Sequence, residues 1–126
     1  MIAADIMQKF WFFRPDPRLQ NNLMYFGFDC GEGWFLLIEE LCCKIEKVLD
    51  KSGIKDIEEF EVVQVKEKWG QLRFYYSGFS NKEIDDFIDE YEEKSGKTCE
   101  VCGEKGTLFK SHGWWMTRCE KHTPKE

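Results

Sequence analysis

From Gly33 onward, apolar residues recur at three- and four-residue spacing: Trp34, Leu37, Ile38, Leu41, Ile45, Val48 and Leu49. That spacing predicts an amphipathic helix that buries one stripe and leaves Glu39, Glu40, Lys44, Glu46 and Lys47 on its wet face. Ser52-Gly53 supplies a left-handed cap to end it. The pattern then changes. Phe60 to Val65 and Leu72 to Tyr76 are rich in β-branched and aromatic residues, and Lys66 to Gln71 between them holds the glycine a turn requires. An antiparallel hairpin is predicted, with Leu72, Phe74 and Tyr76 on one face, Arg73 and Tyr75 on the other, and one face packed on the helix. A second helix is predicted from Ser80-x-x-Glu83, which reads as a capping box, with Phe79 and Ile84 placed for a hydrophobic staple. Its stripe is Ile84, Phe87, Ile88 and Tyr91, and Ser95-Gly96 closes it.

The chain before Asp29 has weaker periodicity. A short helix near residues 3–12 is followed by Arg14-Pro15-Asp16-Pro17, where proline geometry opposes a continuous helix. The cluster Phe10, Trp11, Phe12, Phe13 reads as core or docking surface, with a partner site as the lesser alternative.

The last segment carries the clearest chemistry. Cys99-x2-Cys102 and Cys119-x2-His122 each place two ligands on one tight turn, and two such turns facing each other complete a tetrahedron around zinc. Thr107 to Lys110 and Trp114 to Arg118 are the expected strands of a zinc ribbon, with Ser111-His112-Gly113 at the turn. Four protein ligands leave no position for water, so the site is expected to be structural and the metal to supply much of the ribbon's folding free energy. His112 is a possible competing ligand, but its place at the turn favours exposure. The expected architecture is α+β: a core domain over residues 1–96, with two amphipathic helices on a small antiparallel sheet, and a zinc ribbon over 97–126 packed on it or appended to it.

Composition narrows the function. A chain of 126 residues with formal net charge -6 is not a general phosphate-backbone binder, although its charge is uneven. Asn81 to Lys94 is strongly acidic, whereas the hairpin collects Lys66, Lys68 and Arg73 around Trp69 and Tyr75. Cations beside exposed rings suit a ligand with a phosphate and a flat base, since charge holds one part and stacking the other. Solvated lysines and packed rings are the plainer reading of the same residues. No signal peptide and no membrane-spanning run is readable, so a soluble cytoplasmic protein with reduced thiols is expected. Gly-rich phosphate loops, nucleophile elbows and His-Glu-x-x-His helices are absent from the sequence, and an enzyme is not expected. Cys42 and Cys43 read as small hydrophobes within the helix, with a catalytic thiol as the alternative; Cys30 has no assigned role.

The strings Gly31-Glu-Gly-Trp34, Leu41-Cys42, Gln64-Val-Lys-Glu-Lys-Trp-Gly70 and Leu72-Arg-Phe-Tyr75, together with the Cys/His pairs, Gly113-Trp114 and Thr117, resemble a family of small phage and prophage proteins without an assigned activity. The resemblance covers about residues 26–122. It implies an accessory role in an infected bacterial cytoplasm, and it marks Lys66 to Gly70 and Leu72 to Tyr75 as either functional or a signature of the fold. The expected function is a non-enzymatic counter-defence or host-takeover factor that binds a nucleotide-type signalling molecule or a host protein. A nucleic-acid or transcription adaptor built on the ribbon is the alternative. Charge counts against it, because Lys105, Lys110, Arg118, Lys121 and Lys125 are nearly balanced by Glu100, Glu104, Glu120 and Glu126. A cysteine-dependent enzyme is a third reading.

Overall fold

The computed structural model describes residues 1–124. Its elements in order are α1 (Ala3–Lys9), α2 (Phe35–Lys51), β1 (Phe60–Lys68), β2 (Gln71–Gly78), α3 (Lys82–Ser95), β3 (Thr107–Ser111) and β4 (Trp114–Arg118). The fold is α+β, with two separate antiparallel hairpins, β1-β2 and β3-β4.

Helix α2 buries the expected stripe, with Phe35, Ile38, Leu41, Cys42, Ile45, Val48 and Leu49 inward and Leu37 half-buried. It ends where Gly53 takes φ 75, as a left-handed cap requires. Its start differs from the periodicity: Glu32–Trp34 form a separate 3-10 turn before the α-helix begins. Helix α3 buries Ile84, Ile88 and Tyr91. Its cap is Asn81, whose side-chain oxygen accepts from the N–H of Ile84 at 3.1 Å, so the expected Ser80 capping box gives way to a stronger cap one residue later.

The β1-β2 hairpin is longer than its apolar runs, because the strands continue to Lys68 and resume at Gln71. The turn is only Trp69-Gly70, with φ 54 and 84; positive φ at both central residues is the pattern of a type I′ turn, whose twist matches the strands. A bulge at Val63 shifts the register between Val62 and Gln64. Its effect is on the faces. Val62 and Val65 both point to the core, opposite Tyr76 and Phe74, so Gln64, Lys66 and Lys68 share the outer face with Gln71, Arg73 and Tyr75.

The free edge of β2 is covered by α3. The N–H of Leu72 donates to Ser95 Oγ (2.9 Å), and that of Phe74 to Glu92 Oε2 (3.2 Å). These bonds occupy backbone donors that would otherwise invite another strand. On the other side, the N-terminal segment lines β1: the Val62 N–H donates to Phe12 O, the Leu23 N–H to Val63 O, and Asp29 exchanges bonds with Val65 and Glu67. Helix α1 stops at Lys9, and Phe10, Phe12 and Phe13 are core residues, with Phe12 edge-on to Phe60. Arg14 grips Glu61 through two parallel bonds (2.9 and 3.0 Å), tying down the proline-interrupted stretch.

Candidate functional site: a metal centre and the cleft it assembles

The Cys99 knuckle turns back through Gly103 (φ 83), whose N–H donates to Cys99 O at 2.9 Å. Cys119 opens a short 3-10 turn that returns His122 to the same point. The four donor atoms lie within 4.8 Å of one another. Cys102 Sγ to Cys119 Sγ is 3.7 Å, and His122 Nδ1 lies 3.7 Å from Cys99 Sγ and 3.2 Å from Cys119 Sγ. A tetrahedral ion with metal–sulfur bonds of ~2.3 Å sets its ligands about 3.6–3.8 Å apart, so the donor set fits such an ion with little movement. Burial pushes the Cys99 thiol up, but N–H groups of Cys119, Cys102 and Val101 aimed at its sulfur outweigh that and bring it down to about 6. Those donors stabilise thiolate, the form that binds metal. His112 stands at the β3-β4 turn, exposed and outside the cluster.

The ribbon is built against the core at two places. At the first, Gly33 N–H donates to Glu100 O (2.8 Å), Gly31 N–H to Glu100 Oε2 (2.8 Å), and the buried Trp34 indole to Thr98 O (2.8 Å). A methyl on Gly33 would overlap the backbone of Cys99 and Glu100. At the second, the hairpin tip sits on β3-β4: Thr117 Oγ1 donates to Gly70 O at 2.7 Å, and a Cβ on Gly70 would meet Leu108 Cδ1 at 2.5 Å and Met116 N at 2.9 Å. The two glycine-bearing strings of the sequence are therefore the two contacts that dock the unit carrying the Cys/His cluster.

Docking creates a cleft of about 600 Å³ between the hairpins. Glu67, Trp69, Gln71 and Arg73 form one wall, with the Glu67 carboxylate accepting from the Gly70 N–H, and Leu108, Lys110, Trp114 and Trp115 form the other. The three indoles are 68%, 74% and 44% exposed, respectively, which is unusual for the most apolar-bodied residue type. Lys68 Nζ lies 4.8 Å from the Trp69 ring centroid. Among the described residues, Lys66, Lys68, Arg73 and Lys110 form no ion pair, in a chain whose other cations mostly do.

Of the sequence-expected ligand-binding residues, Trp69 and Arg73 line this cleft. Lys66 and Tyr75 lie on the adjoining outer face, with Lys66 opposite Arg73 and Tyr75 two residues further along β2. The expectation missed Lys110, Trp114 and Trp115, which the ribbon brings in from another part of the chain. Among the remaining thiols, burial pushes Cys42 well above the ordinary range and Cys30 up to about 12, so neither is activated as a nucleophile.

Among the described residues, no helix is long and apolar enough to cross a membrane. No family model, curated protein or solved structure matches the chain.

Proposed function

We propose that this is a non-enzymatic binding protein in which a structural zinc ion, held by Cys99, Cys102, Cys119 and His122, staples the ribbon to the core and so completes a cleft for a nucleotide-type ligand. The zinc assignment is supported by the soft sulfur-rich donor set and its tetrahedral spacing. We take the resemblance to phage proteins as support for a role in an infected bacterial cytoplasm, where sequestering a nucleotide signal would act as counter-defence.

The observation that carries the ligand reading is Trp69. It occupies a left-handed backbone position (φ 54) while 68% exposed. A bulky residue there costs about 1–2 kcal/mol relative to an unstrained position, and little is recovered by burial. Asn suits such a turn position far better. A side chain kept where it weakens the fold, beside two further exposed indoles and unpaired cations, is suited to stacking on a flat ring with a phosphate nearby. Masking a host protein remains the second reading, favoured by the same exposed rings.

Trp69→Asn separates the roles. The variant is expected to melt at a higher temperature than wild type, because strain is relieved, and to lose ligand-induced stabilisation across a panel of mononucleotides, cyclic nucleotides and ADP-ribose. A wild-type protein unmoved by the whole panel at saturating concentrations would defeat the nucleotide reading and leave the host-protein one.

A further inference from the structure

The outer face of β1-β2 continues the wall of the cleft, from Gln71 and Arg73 that line it to Gln64, Lys66 and Tyr75 beyond it. Counted back from the two-residue Trp69-Gly70 turn, Lys68, Lys66 and Gln64 face outward beside Gln71, Arg73 and Tyr75, their respective partners across the ladder. Lys66 and Arg73 are thus directly opposite, a like-charge pair that weakens a sheet. No ion pair relieves it among the described residues: Glu92 on α3 feels the charge of Arg73 but gives its Oε2 to the Phe74 N–H, and Glu67 gives its Oε2 to the Gly70 N–H. Acids are plentiful on α3, so two opposed, half-buried cations with no ion pair point to an anion bound there.

The rings flank that position on both sides. Residues two apart on a strand lie about 7 Å apart. Toward the turn, Arg73 and Gln71 already line the Trp69–Trp115 cleft; away from it, Tyr75 stands one step beyond Arg73 and is 40% exposed. Gln64, opposite Tyr75, also borders a shallow depression beside Phe26, which is 79% exposed. Its amide offers a donor and an acceptor to the edge of a base stacked on Tyr75.

Resting on the nucleotide reading of the cleft, we infer that the ligand carries two bases joined by a phosphodiester: one base in the tryptophan cleft, the phosphate over Lys66 and Arg73, and the second base on Tyr75 beside Gln64. The shared chemistry is a phosphodiester between two nucleosides, whose source is a small dinucleotide or a single strand of nucleic acid.

The test is titration of zinc-loaded protein with an adenosine mononucleotide, a linear diadenosine phosphodiester, a cyclic diadenylate and a ten-residue oligoadenylate. The measurements are made on wild type, Tyr75→Ala, Tyr75→Phe and Lys66→Ala. Phosphodiester ligands are expected to bind wild type at least about tenfold more tightly than the mononucleotide. Tyr75→Ala should weaken them about 5- to 150-fold, the range for one stacked base, while mononucleotide binding holds and Tyr75→Phe restores affinity. Lys66→Ala should weaken the phosphodiester ligands and flatten their salt dependence. Tighter binding of the small compounds than of the decamer, or the reverse, identifies the source, and either supports the inference. Equal affinity for mononucleotide and phosphodiester, or indifference to Tyr75→Ala, overturns it while leaving the cleft reading intact. Failure of all four ligands to bind overturns both.

Discussion

If the hairpin tip is held against the ribbon as described, Gly70→Ala should be far more damaging than its chemistry suggests, and Gly53→Ala is the control that shows why. Both glycines have left-handed backbones, φ 84 and φ 75. A Cβ at Gly53 meets nothing within 4 Å, whereas at Gly70 it meets Leu108 Cδ1 at 2.5 Å and the Met116 backbone at 2.9 and 3.1 Å. Strain alone costs about 1–2 kcal/mol and applies to both variants. Leu108 can swing aside, but the Met116 backbone belongs to β4 and cannot yield without moving the strand. That overpacking adds about 1–3 kcal/mol. Should the tip instead lift away, the buried Thr117–Gly70 hydrogen bond is lost, at about 1 kcal/mol or more. Gly70→Ala is therefore expected to lose about 2–5 kcal/mol and Gly53→Ala about 1–2. For a domain of this length each kcal/mol moves the melting temperature by roughly 3–5 °C, so thermal unfolding of the zinc-loaded variants resolves the two. Amide exchange should show the extra loss in Gly70→Ala concentrated in β3-β4. Equal losses in the two variants would refute the docking argument.

Other outcomes follow from the same packing. Cys102→Ser, or chelation of the wild type, should abolish amide protection over residues 97–124 while α2 stays protected, since metal ligation supplies roughly 10 kcal/mol or more to folds of this kind. Ser95→Ala should cost about 1–3 kcal/mol in denaturant unfolding, because it leaves the Leu72 N–H buried without an acceptor. Asn81→Ala should cost about 1 kcal/mol and Ser80→Ala much less, in line with the observed cap. Burial first, and then the charges of Glu67 and Asp29, raise the Glu100 carboxyl above its usual range, although the Gly31 N–H and Arg118 oppose this. A raised folded-state value means that ionised Glu100 opposes folding at neutral pH. That opposition fades as pH falls through the folded value toward the ordinary carboxylate range. Glu100→Gln should therefore melt at or above wild type at pH 8, with the advantage shrinking as pH is lowered within the range where zinc stays bound.

What the sequence revealed depended on the range of the interactions. The α2 stripe, the Gly53 cap and the four metal-binding side chains are local patterns, legible from spacing alone. The hairpin was legible in type but not in extent, because Lys66, Glu67 and Lys68 lack the apolar character that marks a strand, and Trp is an unusual occupant of a left-handed turn position. The bulge at Val63, which lets Val62 and Val65 both face the core, leaves no mark in a run of valines that suits either register. The N-terminal aromatic cluster does not by itself separate core from docking surface; its backbone pairing with β1 does. The docking of ribbon on hairpin joins residues 47 apart, Gly70 and Thr117, and no periodicity reports it. The available signal was the pair of glycine-bearing strings, Gly31-Glu-Gly-Trp34 and Trp69-Gly70, whose glycines answer to close approach.

The most direct test of the metal-stapled cleft is a nitrogen–proton spectrum of the five indole groups in zinc-loaded protein, recorded during nucleotide titration. The Nε1–H signals of Trp69, Trp114 and Trp115 are expected to shift together, while that of Trp34, buried and bonded to Thr98, stays in place; after chelation, the ligand should move none of them. Shifts confined to residues remote from the cleft, or cleft shifts that persist without metal, would contradict the account.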